Sequence, residues 1–196
     1  VAKVAGATLA SVELKQAAPV SGNGYTLIDK VANLTAGTYY MAGYATEYYN
    51  TSTKETTTFA PYSYHMWTGK ISTGSNNDLI TTGYEFDNNS QLIINPKATT
   101  SEAVMITLED AGDGTFYIKY DGKYLSATAV KRKLVLGDTQ TKWTFADHVK
   151  GGVSASMTIG ADVAILGTAG AESNMLRMYK APASSLVYGL CFFKAN

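Results

Sequence analysis

The stretch TFYIKYDGKYLSATAVKRKLVLG, residues 115–137, reads as strand, turn, strand, loop, strand. Its first reversal is Asp121-Gly122, a pair favoured in two-residue hairpins because both central residues of such turns take positive φ. Immediately upstream, DAGDG at 110–114 joins a strand at 103–109 to TFYIKY in the same way. Consecutive short hairpins define a sheet protein. They leave one question open, whether the unit repeats to build a binding surface or carries chemistry.

The same reading extends outward. Strands are expected at 25–28, 38–45, 63–71, 79–86 and 91–94, and after the quoted stretch at 142–146, 155–159, 163–166, 175–179 and 187–194. Within the stretch they fall at 115–120, 123–126 and 133–136. Leu34 to Gly37 forms a turn, with Gly37 free to take the φ that closes it. Residues 46–62, rich in Thr and Ser and without apolar period, make a long loop with room for a short ribbon. No segment has a sustained helical period. Residues 1–23 read as an arm and linker, ending at Pro19 and SGNG, ahead of a single β domain over 24–196.

Short strands at roughly 8–12 residue spacing indicate a barrel, trefoil or sandwich. A loose repeat narrows the choice. GTFYIKY…LVLG…KWTF, from Gly114 to Phe145, is followed by SASMTIG…VAILG…LRMYK, from Ser154 to Lys180, and GTYYMAGYATEYYN through YHMWTG supplies a distended first copy. Three units of about 40 residues suit a β-trefoil, because one unit alone cannot bury its apolar face. The fold class is therefore all-β, a β-trefoil or related closed β-barrel, with a β-sandwich as the alternative.

DGKYLSA, LVLG and WTF resemble the strand-turn-strand signature of β-trefoil units. From Tyr25 to Lys194 the chain also resembles a β-rich accessory domain of secreted and surface proteins of gut and oral Bacteroidetes. That domain opens on L-x-x-G-x-Y, matched by LTAGTY at 34–39, and closes on Y-K, where this chain has LCFFK. The resemblance implies an exported bacterial protein, secreted or at the cell surface, and brings no catalytic residues with it.

Composition agrees with that setting. Charged residues are 16% of the chain against roughly 25% in average soluble domains, and 14 Tyr with many Thr, Ser and Asn take their place. The 16 basic and 16 acidic side chains cancel, so no global field draws the protein to nucleic acid or an anionic membrane. No apolar run is long enough for a membrane span. The chain opens on Val rather than Met, as expected of a mature or trimmed form that has lost a leader, or of a piece of something larger.

Reactive motifs are few. The single Cys191, inside YGLCFFK, reads as a small buried thiol. His65 and His148 are the only histidines; His148 lies in a polar turn and is expected in solvent, and His65 in the strand YSYHMW. Burial of Cys191 argues against a Cys191–His65 dyad. The turn carboxylates Asp110, Asp113, Asp121, Asp138 and Asp162 read as turn stabilisers, and DAGDG lacks the spaced ligands of a calcium loop. Lys131, Arg132 and Lys133 read as a solvated basic turn. No catalytic residue, cofactor or metal ligand is assigned.

The aromatic set flanking the Thr-rich loop remains. Tyr48, Tyr49, Tyr62, Tyr64 and Trp67, with Phe59 nearby, are either barrel core or a surface for stacking on sugars or anchoring a protein. The functional expectation is a non-catalytic exported module that binds a glycan or a cell-surface partner through these five residues. A structural or adhesive module pairing through its 1–18 arm, or a protease inhibitor using a loop of a trefoil scaffold, are the alternatives.

Overall fold

A computed structural model describes residues 25–45, 47–50, 52–58, 63–85, 95–96, 103–168, 175–183 and 187–195. The strands are β1 (Tyr25–Ile28), β2 (Gly37–Gly43), β3 (Glu47–Asn50), β4 (Glu55–Thr58), β5 (Ser63–Ile71), β6 (Leu79–Glu85), β7 (Asn95–Pro96) and β8 (Met105–Gly112). They continue as β9 (Thr115–Tyr120), β10 (Lys123–Ala127), β11 (Leu134–Gly137), β12 (Trp143–Asp147), β13 (Val153–Ile159), β14 (Asp162–Gly167), β15 (Met175–Lys180) and β16 (Leu190–Ala195). Among the described residues the one helical segment is a 3-10 turn at Val31–Asn33. The expected arm at 1–23 and the expected strand at 91–94 lie outside the described residues.

Both Asp-Gly pairs form the turns their chemistry favours. Asp113 and Gly114 have φ of 56° and 71°, and Asp121 and Gly122 have 49° and 75°. The Thr-rich segment carries the short ribbon, with β3 against β4 in the register Glu47↔Thr58 to Asn50↔Glu55.

The sheet closes on itself. Nine strands form an antiparallel circuit, β2-β8-β9-β12-β13-β14-β15-β6-β5 and back to β2. The chain is thus an all-β closed barrel with extra strands. β16 shortens the circuit: Leu190 pairs with Gly43 of β2 on one edge and with Val153 of β13 on the other, and β1 continues along that second edge.

One pairing scheme occurs in three successive blocks, β2 to β8, β9 to β12 and β13 to β16. Within each block the first strand pairs with the last, as Tyr39↔Ile106, Phe116↔Trp143 and Val153↔Leu190. The last strand of each block then pairs with the first of the next, as Leu108↔Ile118, Phe145↔Ala155 and Phe192↔Met41. Each second pairing lies two residues along from the first, so both sets face inward. Ala155 stands opposite Phe145, where the small side chain leaves room for the ring.

The aromatic core is linked edge to face: Tyr39 to Phe192 at 6.0 Å between ring centroids, Phe192 to Phe145 at 5.9 Å and Phe145 to Phe116 at 5.6 Å. Polar tips of buried rings find backbone acceptors. The Tyr39 hydroxyl donates to the Thr35 carbonyl at 2.9 Å, Trp143 Nε1–H to Leu125 at 3.0 Å and Trp67 Nε1–H to Lys70 at 2.9 Å.

The intervening hairpins β5–β6, β10–β11 and β14–β15 bind one another. Leu134 N–H donates to the Asn77 carbonyl at 2.9 Å and Arg132 N–H to Met178 at 3.0 Å, while Leu176 pairs with Leu79 across β15 and β6. Buried Leu79, Leu134 and Leu176, one from each hairpin, join this junction to the core.

Two glycines separate backbone strain from crowding. Gly122 and Gly152 have φ of 75° and 76°, yet a Cβ at 122 meets open space, whereas one at 152 falls 2.6 Å from the Leu190 carbonyl oxygen and 2.8 Å from Tyr44 Cβ. Gly122→Ala should cost about 1 kcal/mol, the left-handed penalty alone, and Gly152→Ala about 2 kcal/mol or more beyond that. Urea unfolding of both variants checks this, and equal losses would mean that the 152 contact yields freely.

Candidate functional site

Alternation along β5 decides the fate of the expected aromatic site. Trp67 is fully buried, its ring 5.1 Å from that of Tyr120 inside the barrel, and so presents no face to a ligand. This corrects its place in the expected binding set: it is core. Tyr64 and Met66 point the other way, outside the barrel. Tyr48 and Tyr49 sit on β3 opposite Thr57 and Thr56, but their side chains lie outside the described residues, as do Tyr62 and Phe59. Of the five expected residues, Tyr64 is the one that the described side chains place at a surface.

Around Tyr64 the outer wall carries a second apolar layer. Ala42, Met66, Cys191 and Phe193, from β2, β5 and β16, are fully buried on the outward face, and half-buried Tyr25, Tyr40, Tyr44 and Tyr64 pack over them. Tyr64 meets Phe193 edge to face at 5.0 Å and lies tilted to Tyr44 at 6.3 Å, and Tyr25 meets Tyr40 edge to face at 5.3 Å. The rings are thereby fixed against a packed layer while part of each stays in water. Sequence reasoning did not find Tyr25, Tyr40 and Tyr44, although the uninterrupted apolar run LCFF is a signal for a strand buried on both faces.

Polar groups border this tier. The Tyr44 hydroxyl donates to Asp29 Oδ2 at 3.4 Å, and burial, followed by the Asp29 charge, raises its pKa, so it stays a donor at neutral pH. Gly151 brings the turn after β12 against the Tyr44 ring, where a Cβ at 151 would fall 2.8 Å from a ring carbon. In that turn Lys150 Nζ lies 4.4 Å from the Tyr188 ring centroid and 3.6 Å from Glu47 Oε1, to which the Tyr188 hydroxyl donates at 3.0 Å. This clasp fixes the start of the β3–β4 ribbon to the barrel.

His148 is half-buried rather than in solvent: its Nδ1 accepts the Lys150 N–H at 3.1 Å inside the turn. Burial and the Lys150 charge both lower its pKa, which keeps it neutral at pH 7. Cys191 is buried as expected, and burial pushes its thiol pKa well above 9.0. It shares the outer layer with Met66, while His65, next along β5, faces the opposite side, so the two do not meet. Of the turn carboxylates, Asp110 accepts the Gly112 N–H at 2.8 Å and Asp162 pairs with Lys180 at 2.9 Å, consistent with turn and hairpin roles. Among the described residues no three His, Cys, Asp or Glu side chains are grouped to hold a metal ion.

The basic turn departs from expectation. Arg132 does not simply extend into solvent; it folds toward Asp78, whose side chain is 1% exposed. Arg132 Nη1 and Arg177 Nε lie 3.7 Å and 3.4 Å from the same oxygen, Oδ2. The three residues come from the three different hairpins, and no local pattern in NNDL or KRK announces their meeting.

No protein-family model, curated protein or solved structure matches the chain. Among the described residues no helix is long and apolar enough to cross a membrane.

Asp78 supplies a test of the junction. Burial raises its pKa above 3.8, and Arg177 and then Arg132 offset this only in part. Its protonated form is therefore favoured by folding, and its contribution is greatest below 3.8 and lost as pH rises through the folded value. In urea titrations, the stability of the wild type minus that of Asp78→Asn should fall as pH rises from below 3.8 toward neutrality. A difference that grows with pH would mean that the guanidiniums outweigh burial.

Proposed function

We propose that this chain is an exported, non-catalytic binding module built of three trefoil units, and that its tyrosine tier takes a glycan at a cell surface. The observation that carries this reading is the pair Tyr44 and Tyr64, two half-buried rings 6.3 Å apart, backed by Phe193 and bordered by the Asp29 carboxylate. Flat rings that are already immobilised lose little entropy when a sugar face stacks on them. A tyrosine hydroxyl beside a carboxylate offers both donor and acceptor to sugar hydroxyls. The raised pKa of the Cys191 thiol and its separation from His65 favour recognition over nucleophilic chemistry. The low share of charged side chains and the resemblance to exported bacterial domains support the setting.

The test is a glycan array with wild type, Tyr44→Ala and Tyr64→Ala. Tyr124→Ala, in the separate Tyr117–Tyr124 pair with rings 5.7 Å apart, is the control. Loss of signal on the order of tenfold or more in the first two variants but not in the control, with far-ultraviolet circular dichroism unchanged, is the expected result. A wild type that binds no glycan, or a loss in Tyr124→Ala alone, would overturn it.

A further inference from the structure

Among the described residues, the junction of the three hairpins gathers buried polar groups without a hydrogen-bond partner. Asp78 is fully buried, yet neither of its carboxylate oxygens takes part in a hydrogen bond; the Arg132 and Arg177 contacts to Oδ2 are ion pairs without hydrogen-bond geometry. Arg177 Nε and the Tyr179 hydroxyl are likewise buried without a hydrogen-bond partner. Native interiors leave few such groups, and each costs roughly 1–3 kcal/mol. Four of them around one point indicate a site built for something further.

The charge balance says what. Two guanidiniums face one carboxylate, and Lys131 and Lys133 flank Arg132 on the same turn. The side chains of Arg132 and Arg177 keep 37% and 23% of their surface open to solvent, and Asp78 uses neither guanidinium's full set of donors. The two guanidinium nitrogens, each close to the same oxygen, stand no more than about 7 Å apart, a span that one oxyanion can bridge through charge-assisted bonds.

The backbone points the same way. Arg132 and Lys133 have φ of 58° and 62°, a conformation costly for long side chains and comfortable for glycine. Bonds from Arg132 N–H to Met178 and from Thr128 N–H to Lys133 hold the turn in place. A chain that puts glycine at most of its left-handed positions keeps an arginine here, and strain of this kind collects where a side chain has work to do.

We propose that Arg132, Arg177 and Tyr179 form a binding site for an oxyanion, a carboxylate, sulfate or phosphate group, with Asp78 holding the two guanidiniums in position. This site is separate from the tyrosine tier and does not rest on the function proposed for it. Arg132→Gly removes the guanidinium and relieves the φ strain while Arg177 still faces Asp78, and urea unfolding in chloride is expected to show that the variant stays folded.

Calorimetric titration of the full chain with inorganic sulfate, inorganic phosphate and glucuronate, at constant ionic strength set with chloride, reads the site directly. Saturable binding that weakens tenfold or more in Arg132→Gly and several-fold in Tyr179→Phe is expected. Titration with a sulfated and a uronate-bearing oligosaccharide then distinguishes the two glycan sources of the anion from free phosphate. Absence of binding of all three small anions to the wild type, or equal binding by Arg132→Gly, would overturn the proposal and leave the trio as a clasp between hairpins.

Discussion

The pairing of β16 with β2 is the constraint on which the rest of the structure depends. A strand edge left open exposes a row of unpaired backbone groups, and closing the ring removes two edges at once. Here closure sets Phe192 against Met41 and Cys191 against Ala42, so that one strand pair supplies the inner core with one set of side chains and the outer layer with the next. The tyrosine tier exists because β16 is apolar on both faces. Once Cys191 and Phe193 point outward they must be covered, and Tyr25, Tyr40, Tyr44 and Tyr64 cover them.

Closure also fixes the far hairpins. With first and last strands of each block in matching registers, the three hairpins are brought side by side, and Asp78, Arg132 and Arg177 meet although they are spread along the chain. The meeting is electrostatically unbalanced, one carboxylate for two guanidiniums, and the carboxylate's raised pKa records the cost of its burial. Such a cluster stabilises little by itself, since desolvation consumes much of what the ion pairs return.

Local chemistry made much of the fold legible. Asp-Gly turns, which need positive φ at both central residues, located the hairpins at 113–114 and 121–122, and strand limits followed from the turns to within a few residues. Alternation in YSYHMW correctly divided β5 into two faces, but it could not say that both would be covered. Trp67 therefore read as a surface candidate when it is core, and Met66 lies beneath tyrosines that no periodic pattern connects to it. Asp78 was illegible for a different reason. In NNDL it has the look of a loop residue, and its partners enter from hairpins more than fifty residues away in sequence, a relation that only the closed ring creates.

The register Phe192↔Met41 carries a consequence for how the chain reaches this state. Its two strands are the first and last of the three blocks, so the contact that closes the shorter circuit has close to the largest sequence separation among the described strands. The loop entropy for that step is lost before any reward is collected, and topologies of this kind fold slowly. During synthesis that edge of β2 waits bare until β16 has emerged from the ribosome. A chain truncated before Leu190 would keep its hairpins and lose the strand that closes the shorter circuit, leaving one edge of β2 and the apolar side chains beside it exposed to other chains.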